Sequence, residues 1–325
     1  MSKKAKIWLI IAICLVLIGG IIFGSVMTML NWDFSKLSTV KYETNTYEIT
    51  EDFAKILITT IEGSVEIVPS DDGKCKAVCY EDKKVKHEVK TESDHLIIEA
   101  HDSRKWYDYI NFFSFSTPKI TLYLPTDMIK SLYINGSTGD IDISSSFTFE
   151  EIDVVTSTGD VNCYASATGA VKIEVNTGSI DITSVNADSL SLSTSTGNIK
   201  VKMATCSGDI STKTTTGDTI IMATDCKNLY STGRTGDIKI VGVNASDNFN
   251  IECTTGDIEF ENSDANEIYA KTSTGDIEGT LLSDKIFFTE TSTGEVEVPK
   301  STSGGRCELT TSTGDIEIEI ARIAR

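Results

Sequence analysis

Cys253-Thr254-Thr255-Gly256-Asp257-Ile258-Glu259-Phe260 places a glycine turn directly before alternating apolar and charged residues. The phrase recurs. Gly139, Gly159, Gly178, Gly197, Gly217, Gly236, Gly256, Gly275, Gly294 and Gly314 follow one another at steps of 19 or 20 residues. Each is preceded by threonine: Thr138, Thr158, Thr177, Thr196, Thr216, Thr235, Thr255, Thr274, Thr293 and Thr313. A fixed period of this size marks a repeat architecture, in which a unit buries its apolar face only by stacking on its neighbours.

Two positions past the glycine stand Ile141, Val161, Ile180, Ile199, Thr219, Ile238, Ile258, Ile277, Val296 and Ile316, and four past it the chain is mostly apolar again. Polar residues fill the gaps. This period-two alternation of β-branched residues predicts a short strand with one buried face. Seven residues before each glycine, Leu132, Ile152, Val171, Leu190, Ile210, Leu229, Phe249, Ile268, Phe287 and Cys307 predict a second strand. Each unit then has two strands and two turns. A crossover helix needs a dozen or more residues, and no unit has room for one. A meander of hairpins would alternate two turn types, whereas one type recurs here.

The expected fold is therefore all-β: a single-stranded parallel β-solenoid (β-helix) of about ten 19–20-residue coils. Stacked at the inter-strand spacing, they make a rod roughly 48 Å long. Residues 131–325 are the repeats. Residues 53–130 read as an N-terminal β cap and a degenerate first coil around Glu62-Gly63-Ser64-Val65. A cap is expected because a bare first coil offers unpaired backbone and exposed apolar side chains. The far end, after Gly314, has only alternating charges as a deterrent.

Residues 31–52 read as a polar tether, and Ile7 to Leu30 as a transmembrane helix of 24 uncharged residues. Such a helix reaches about 36 Å, enough to cross a bilayer with some tilt. Lys3, Lys4 and Lys6 precede it, so residues 1–6 are expected in the cytoplasm and the solenoid outside the cell membrane. A cleavable signal peptide is the competing reading, against which stand the length of the apolar run and the lack of a small-x-small site.

The chain of 325 residues carries a net charge of −19, and without the three N-terminal lysines 26 basic residues face 48 acidic ones. That balance excludes a nucleic-acid partner and admits a cationic one. Eight cysteines do not form an obvious framework. Cys75 and Cys79 lack the second ligand pair of a zinc site. Cys206 and Cys226, nine residues after their glycines, are expected to stack within bridging reach or to be small buried thiols.

Lys119-Ile120-Thr121-Leu122-Tyr123-Leu124-Pro125, followed by Ser131-Leu132-Tyr133-Ile134-Asn135-Gly136-Ser137-Thr138-Gly139-Asp140-Ile141-Asp142-Ile143, resembles the lead-in to the repeats of the bacterial putative-adhesin family. The resemblance spans roughly residues 50–320. It implies a membrane anchor joined to a β-solenoid of unknown function, with some relatives tied to envelope-stress sensing. It carries over no catalytic or binding residue.

Asp140, Asp160, Asp218, Asp237, Asp257, Asp276, Glu295 and Asp315 occupy one repeat position. Two such charges about 4.8 Å apart repel by on the order of 1 kcal/mol in water, so the column must be solvated, hydrogen-bonded or neutralised. Turn capping is the expected role. Asp218, Asp237, Asp257 and Asp276 are the candidates for a calcium ladder, which would need six or more oxygens per ion. The preceding threonines are expected to stack hydroxyl on hydroxyl.

Trp106, Tyr107, Tyr109, Phe112, Phe113 and Phe115 form a candidate interaction patch, with cap core as the alternative. His87, His95 and His101 read as surface residues of the cap. The repeats hold no histidine and no nucleophile motif, so no enzyme, no metal and no cofactor is expected. The function expected is an extracytoplasmic adhesin or envelope-interaction protein, with a protein or cell-wall partner. The alternative is an envelope-stress sensor that binds cationic peptides or a membrane signalling partner.

Overall fold

The computed structural model describes residues 2–33, 40–109, 116–127 and 130–321. Through the middle of the repeats every coil lies parallel to the next, and from Ser131 to Thr216 the long strands stay in register. Ser131–Thr138 pairs with Glu151–Thr158, and the stack continues through Ala170–Thr177, Ser189–Thr196 and Ile210–Thr216. The strands after the turn, Ile141–Ile143, Val161–Cys163, Ile180–Thr183, Ile199–Lys202 and Thr219–Met222, make the opposite sheet. The alternation read from sequence is what closes the core. Leu132, Ile152, Val171, Leu190, Ile210, Leu229 and Phe249 are buried from one sheet against Ile141, Val161, Ile180, Ile199, Ile238 and Ile258 from the other.

Several coils also carry a third strand of two residues: Thr148–Phe149, Ser166–Ala167, Asn186–Ala187 and Thr205–Cys206. Two-strand coils were expected. The third has too few residues to show a period, and its buried column of Ala167, Ala187, Cys206, Cys226, Ala245 and Ala265 is small rather than conspicuously apolar.

Among the described residues the cap contains seven strands: β1 Tyr42–Ile49, β2 Lys55–Thr60, β3 Ser64–Pro69, β4 Cys75–Asp82, β5 Val85–Glu92, β6 His95–Asp102 and β7 Lys119–Leu124. Here the tether reading is corrected. Tyr42–Ile49 pairs antiparallel with β4 along its whole length, because Tyr47 and Ile49 pack against the core. β2 and β3 flank the turn at Gly63 and form the degenerate first coil. This coil lies between the Gly139 coil and the outer strands β6 and β7. Antiparallel β5 then covers β6, while β4 and β1 cover β7.

The other end breaks the sequential order too, against the expectation that the coil of Gly314 ends the rod. Gly305–Thr313 pairs on one side with Ile258–Lys271 and on the other with Lys285–Thr293. Likewise Ile316–Ile320 lies between Ile277–Leu281 and Val296–Glu297. The order in space is thus Gly275, Gly314, Gly294. Two glycines permit the insertion: a Cβ on Gly305 would sit 1.7 Å from the Asn266 carbonyl oxygen, and one on Gly304 1.9 Å from that of Asp284. Lys285, only 2% exposed, enters the outer coil paired to Asp264 at 2.6 Å and donating to Ser283 at 2.7 Å.

N-terminal to the cap, Lys3–Met29 is one helix, α1, with Ser2 as its N-cap. It is long and apolar enough to cross a membrane, and its most apolar stretch is not buried by the protein.

Candidate functional site

The repeated turn is the most regular chemical feature of the molecule, and each of its positions has a distinct task. All ten repeat glycines have φ between +125° and +153°, which L side chains rarely adopt. A Cβ on Gly256 would lie 2.1 Å from the Gly236 carbonyl oxygen, so the backbones themselves are in contact. Inside the stack the next coil in space closes each turn, as where the Gly256 amide donates to Thr274 O at 2.9 Å.

The acidic column is hydrogen-bonded along the rod. Asp237 N donates to Asp218 Oδ1 at 3.0 Å, Asp257 N to Asp237 Oδ1 at 2.9 Å and Asp276 N to Asp257 Oδ1 at 2.8 Å. Ser179 and Asn198, which interrupt the acids in sequence, keep the chain of bonds intact: Asn198 N donates to Ser179 Oγ at 3.2 Å and Asp218 N to Asn198 Oδ1 at 2.8 Å. At the crossed end Asp315 N reaches Asp276 Oδ1 and Glu295 N reaches Asp315 Oδ1, both at 2.7 Å. The position therefore needs an acceptor, not a charge.

A second hydroxyl column, two residues before the one expected, does further work. Thr194, Thr272, Thr311 and Thr291 donate from Oγ1 to Gly178 O, Gly256 O, Gly275 O and Gly314 O at 2.8, 3.0, 2.9 and 3.0 Å. Cys253 Sγ takes the same role toward Gly236 O at 3.3 Å. The threonines next to the glycines are exposed, and their register is carried by backbone pairing, as in Thr158 with Thr138. The signal in sequence is the first residue of each Thr-x-Thr-Gly, which the ubiquity of the second threonine obscures.

On the outer face, Lys239, Glu259, Glu278, Glu317 and Glu297 lie opposite one another in consecutive rows. Lys239 pairs with Glu259 at 2.7 Å. Beyond it the carboxylates face only each other, and partial burial, then Glu259, Asp276, Asp257 and Glu317, push Glu278 above its ordinary value of 4.5.

Of the aromatic patch, Trp106 is 78% exposed and starts the 3-10 turn Trp106–Tyr109. Phe112, Phe113 and Phe115 lie outside the described residues. Cys206 and Cys226 are free, buried thiols pushed up to about 12, chiefly by burial.

His87 corrects the surface reading, being 3% exposed. Its Nδ1 lies 2.8 Å from Glu81 Oε2, and Glu81 is fully buried beside Cys79. The clue in sequence is Cys75-x-Ala77-x-Cys79-x-Glu81, where strand alternation puts a carboxylate on the inward face. Burial, and then the Glu81 charge, push the Cys79 thiol up to about 12.

Fold and turn together define an elongated parallel solenoid with a crossed coil at each end. The chain belongs to the Toastrack DUF4097 family, whose model matches residues 53–218 and again 207–324. Similar solved structures include a putative adhesin of Parabacteroides distasonis, 13% identical, over 86% of this chain and 98% of that one with a TM-score of 0.49. A putative adhesin of Bacteroides fragilis is 15% identical over 86% and 97%, TM-score 0.37. A putative lipid binding protein of P. distasonis is 16% identical over 73% and 96%, TM-score 0.46. Among curated proteins, nothing matches.

Proposed function

We propose that the protein is a non-enzymatic, membrane-anchored rod that presents an acidic surface outside the cell for adhesion or envelope interaction. One observation supports this reading most directly: the repeated turn uses its glycine, threonine and aspartate positions to hold coil on coil. The repeat chemistry is spent on length and rigidity rather than on a cleft. The exposed apolar helix α1 supplies an anchor, and Lys3, Lys4 and Lys6 before it favour a cytoplasmic N-terminus.

External protease applied to intact cells tests the arrangement. It should remove the solenoid and leave an α1-containing fragment in the membrane; a chain that is protected until the membrane is broken, or one released whole into the medium, contradicts it.

A second reading rests on the row Glu259, Glu278, Glu317 and Glu297, which suits a cationic peptide by charge. In that reading the rod senses such peptides or engages a membrane signalling partner. Binding of a polycationic peptide by the purified chain should weaken steeply with salt, and a set of glutamine replacements in this row should weaken it further.

A further inference from the structure

The Cys79, Glu81 and His87 side chains each offer one donor atom, and these atoms lie within 4.8 Å of one another in the cap interior. Cys79 and Glu81 face inward from β4, which pairs with β7 in one sheet, and His87 from β5, which pairs with β6 in the other. We propose that these residues form a site for a borderline-soft divalent ion of the zinc class, stapling together the two sheets where the coils give way to antiparallel strands.

Three observations support it. The first is the donor set. Thiolate sulfur, imidazole nitrogen and carboxylate oxygen are the three zinc ligands of proteins, whereas calcium and magnesium take oxygen. The second is charge. A thiolate, a carboxylate and a neutral imidazole sum to −2, so a divalent ion makes the buried cluster neutral, as a low-dielectric interior favours. The thiol proton leaves to solvent on binding.

The third is the hydrogen bonding around the ring. Glu81 Oε2 accepts from the His87 amide at 2.6 Å and faces Nδ1 at 2.8 Å, while Oε1 accepts from Asn45 Nδ2 at 2.7 Å. On the other side of the ring, Nε2 lies 3.4 Å from Thr60 Oγ1, but that hydroxyl gives its hydrogen to Glu62 O at 3.0 Å. That leaves the oxygen as an acceptor for Nε2–H, the tautomer that turns the Nδ1 lone pair toward Glu81 Oε2. Two electron pairs then face each other across 2.8 Å, which a cation between them remedies.

The site needs no contribution from the repeats, which explains why it does not recur. It lies where the rod lacks the glycine turn that elsewhere ties one sheet to the other.

The test uses the full chain in detergent, stripped with a chelator and then given Zn2+ alone or Co2+ alone. Expected are one zinc bound per chain, a higher melting temperature with zinc than with magnesium, and a thiolate-to-cobalt charge-transfer band. Cys79→Ser should abolish the band and weaken zinc binding about tenfold or more. Cys75→Ser, on the same strand and also buried, should leave both unchanged. A wild-type chain without the band, or a band that survives Cys79→Ser or disappears with Cys75→Ser, overturns the proposal. Should Cys79→Ser fail to fold, the wild-type band and zinc-dependent melting decide alone.

Discussion

The middle of the rod and its two ends solve the same problem differently. In the middle each coil is covered by the coils before and after it in sequence, so equivalent side chains simply repeat. At both ends the chain skips a place and returns. The Gly63 coil lies inside β6 and β7, and the Gly314 coil lies inside the Gly294 coil. The ends also differ from each other. Antiparallel β1, β4 and β5 close the first, whereas at the second Val296, in a core column, is 44% exposed. Crossing the order protects a coil near each end of the solenoid from fraying, because both its edges are paired; it does not by itself cover the core. Among the described residues, only the antiparallel cap does that.

The sharpest way to break this comparison is to put a side chain where two backbones touch. In the middle, Gly256→Val sets a β-branched residue at φ +142° against the Gly236 carbonyl, and should destabilise the rod by roughly 4 kcal/mol. At the end, Gly305→Val meets the Asn266 carbonyl at 1.7 Å, yet should expel only the inserted coil. Limited proteolysis would then trim the Gly305→Val chain near residues 300–305 and leave the remainder resistant. Equal loss of the whole rod in both variants would show that the inserted coil is integral to the middle rather than added to it.

This difference also explains what was legible in the sequence. The middle could be read because Thr-Gly and the Ile column report the same geometry at every step. The crossings could not, since Gly314 carries the same Thr-Gly-Asp-Ile as any other copy and its neighbours in space are fixed by connections elsewhere. Gly304-Gly305 is the only local trace, and a glycine pair also fits an ordinary loop. Tyr42–Ile49 escaped for a related reason: its strand is held by one partner, β4, and its polar outer face resembles a tether. The regular turns showed half of a further fact: a capping role was expected of aspartate, but its Oδ1 accepts from the amide of the next coil rather than from within its own turn. At Glu81 and His87 the cue was alternation on a strand outside the repeats, where no second copy draws attention to it.

Imperfections in the middle supply the next test. Thr219 stands in the Ile column between Ile199 and Ile238, fully buried, and its hydroxyl has no hydrogen-bond partner. Thr219→Val keeps the shape and removes the orphan, so it should stabilise by about 1 kcal/mol in denaturant unfolding. Thr272→Val removes a bond to Gly256 O and should destabilise by about the same amount. Two changes of the same kind then have opposite signs; matching signs would refute the division of labour between the columns.

Toward the open end, electrostatics should set the difference. Glu278 faces Glu259 and Glu317 across adjacent strands, and its carboxyl is raised above 4.5, first by partial burial and then by these neighbours. A raised acid favours the folded state while protonated. That contribution is complete below 4.5 and is lost as the pH rises through the higher native value. Glu278→Gln should therefore stabilise this end by roughly 0.3 kcal/mol at neutral pH and less under acidic conditions. A gain that does not shrink on acidification would place its origin outside this row.

The smallest effect expected is at the acidic column itself, and it bears on whether middle and end share one chemistry. Asp257→Asn keeps an oxygen for Asp276 N and removes a charge from between Asp237 and Asp276. Asn198 already does this within the same column, accepting from Asp218 N at 2.8 Å. The substitution should change stability by no more than about 0.2 kcal/mol. Millimolar calcium should shift the melting temperature of both forms no more than sodium chloride of equal ionic strength, because each Oδ1 is already engaged and one free oxygen per coil falls short of the six or more a calcium ion takes. A calcium-specific rise that Asp257→Asn reduces would instead assign Asp218, Asp237, Asp257 and Asp276 to an ion ladder. The middle of the rod would then hold together by a means that the crossed end, with Glu295 in the same column, reproduces only in part.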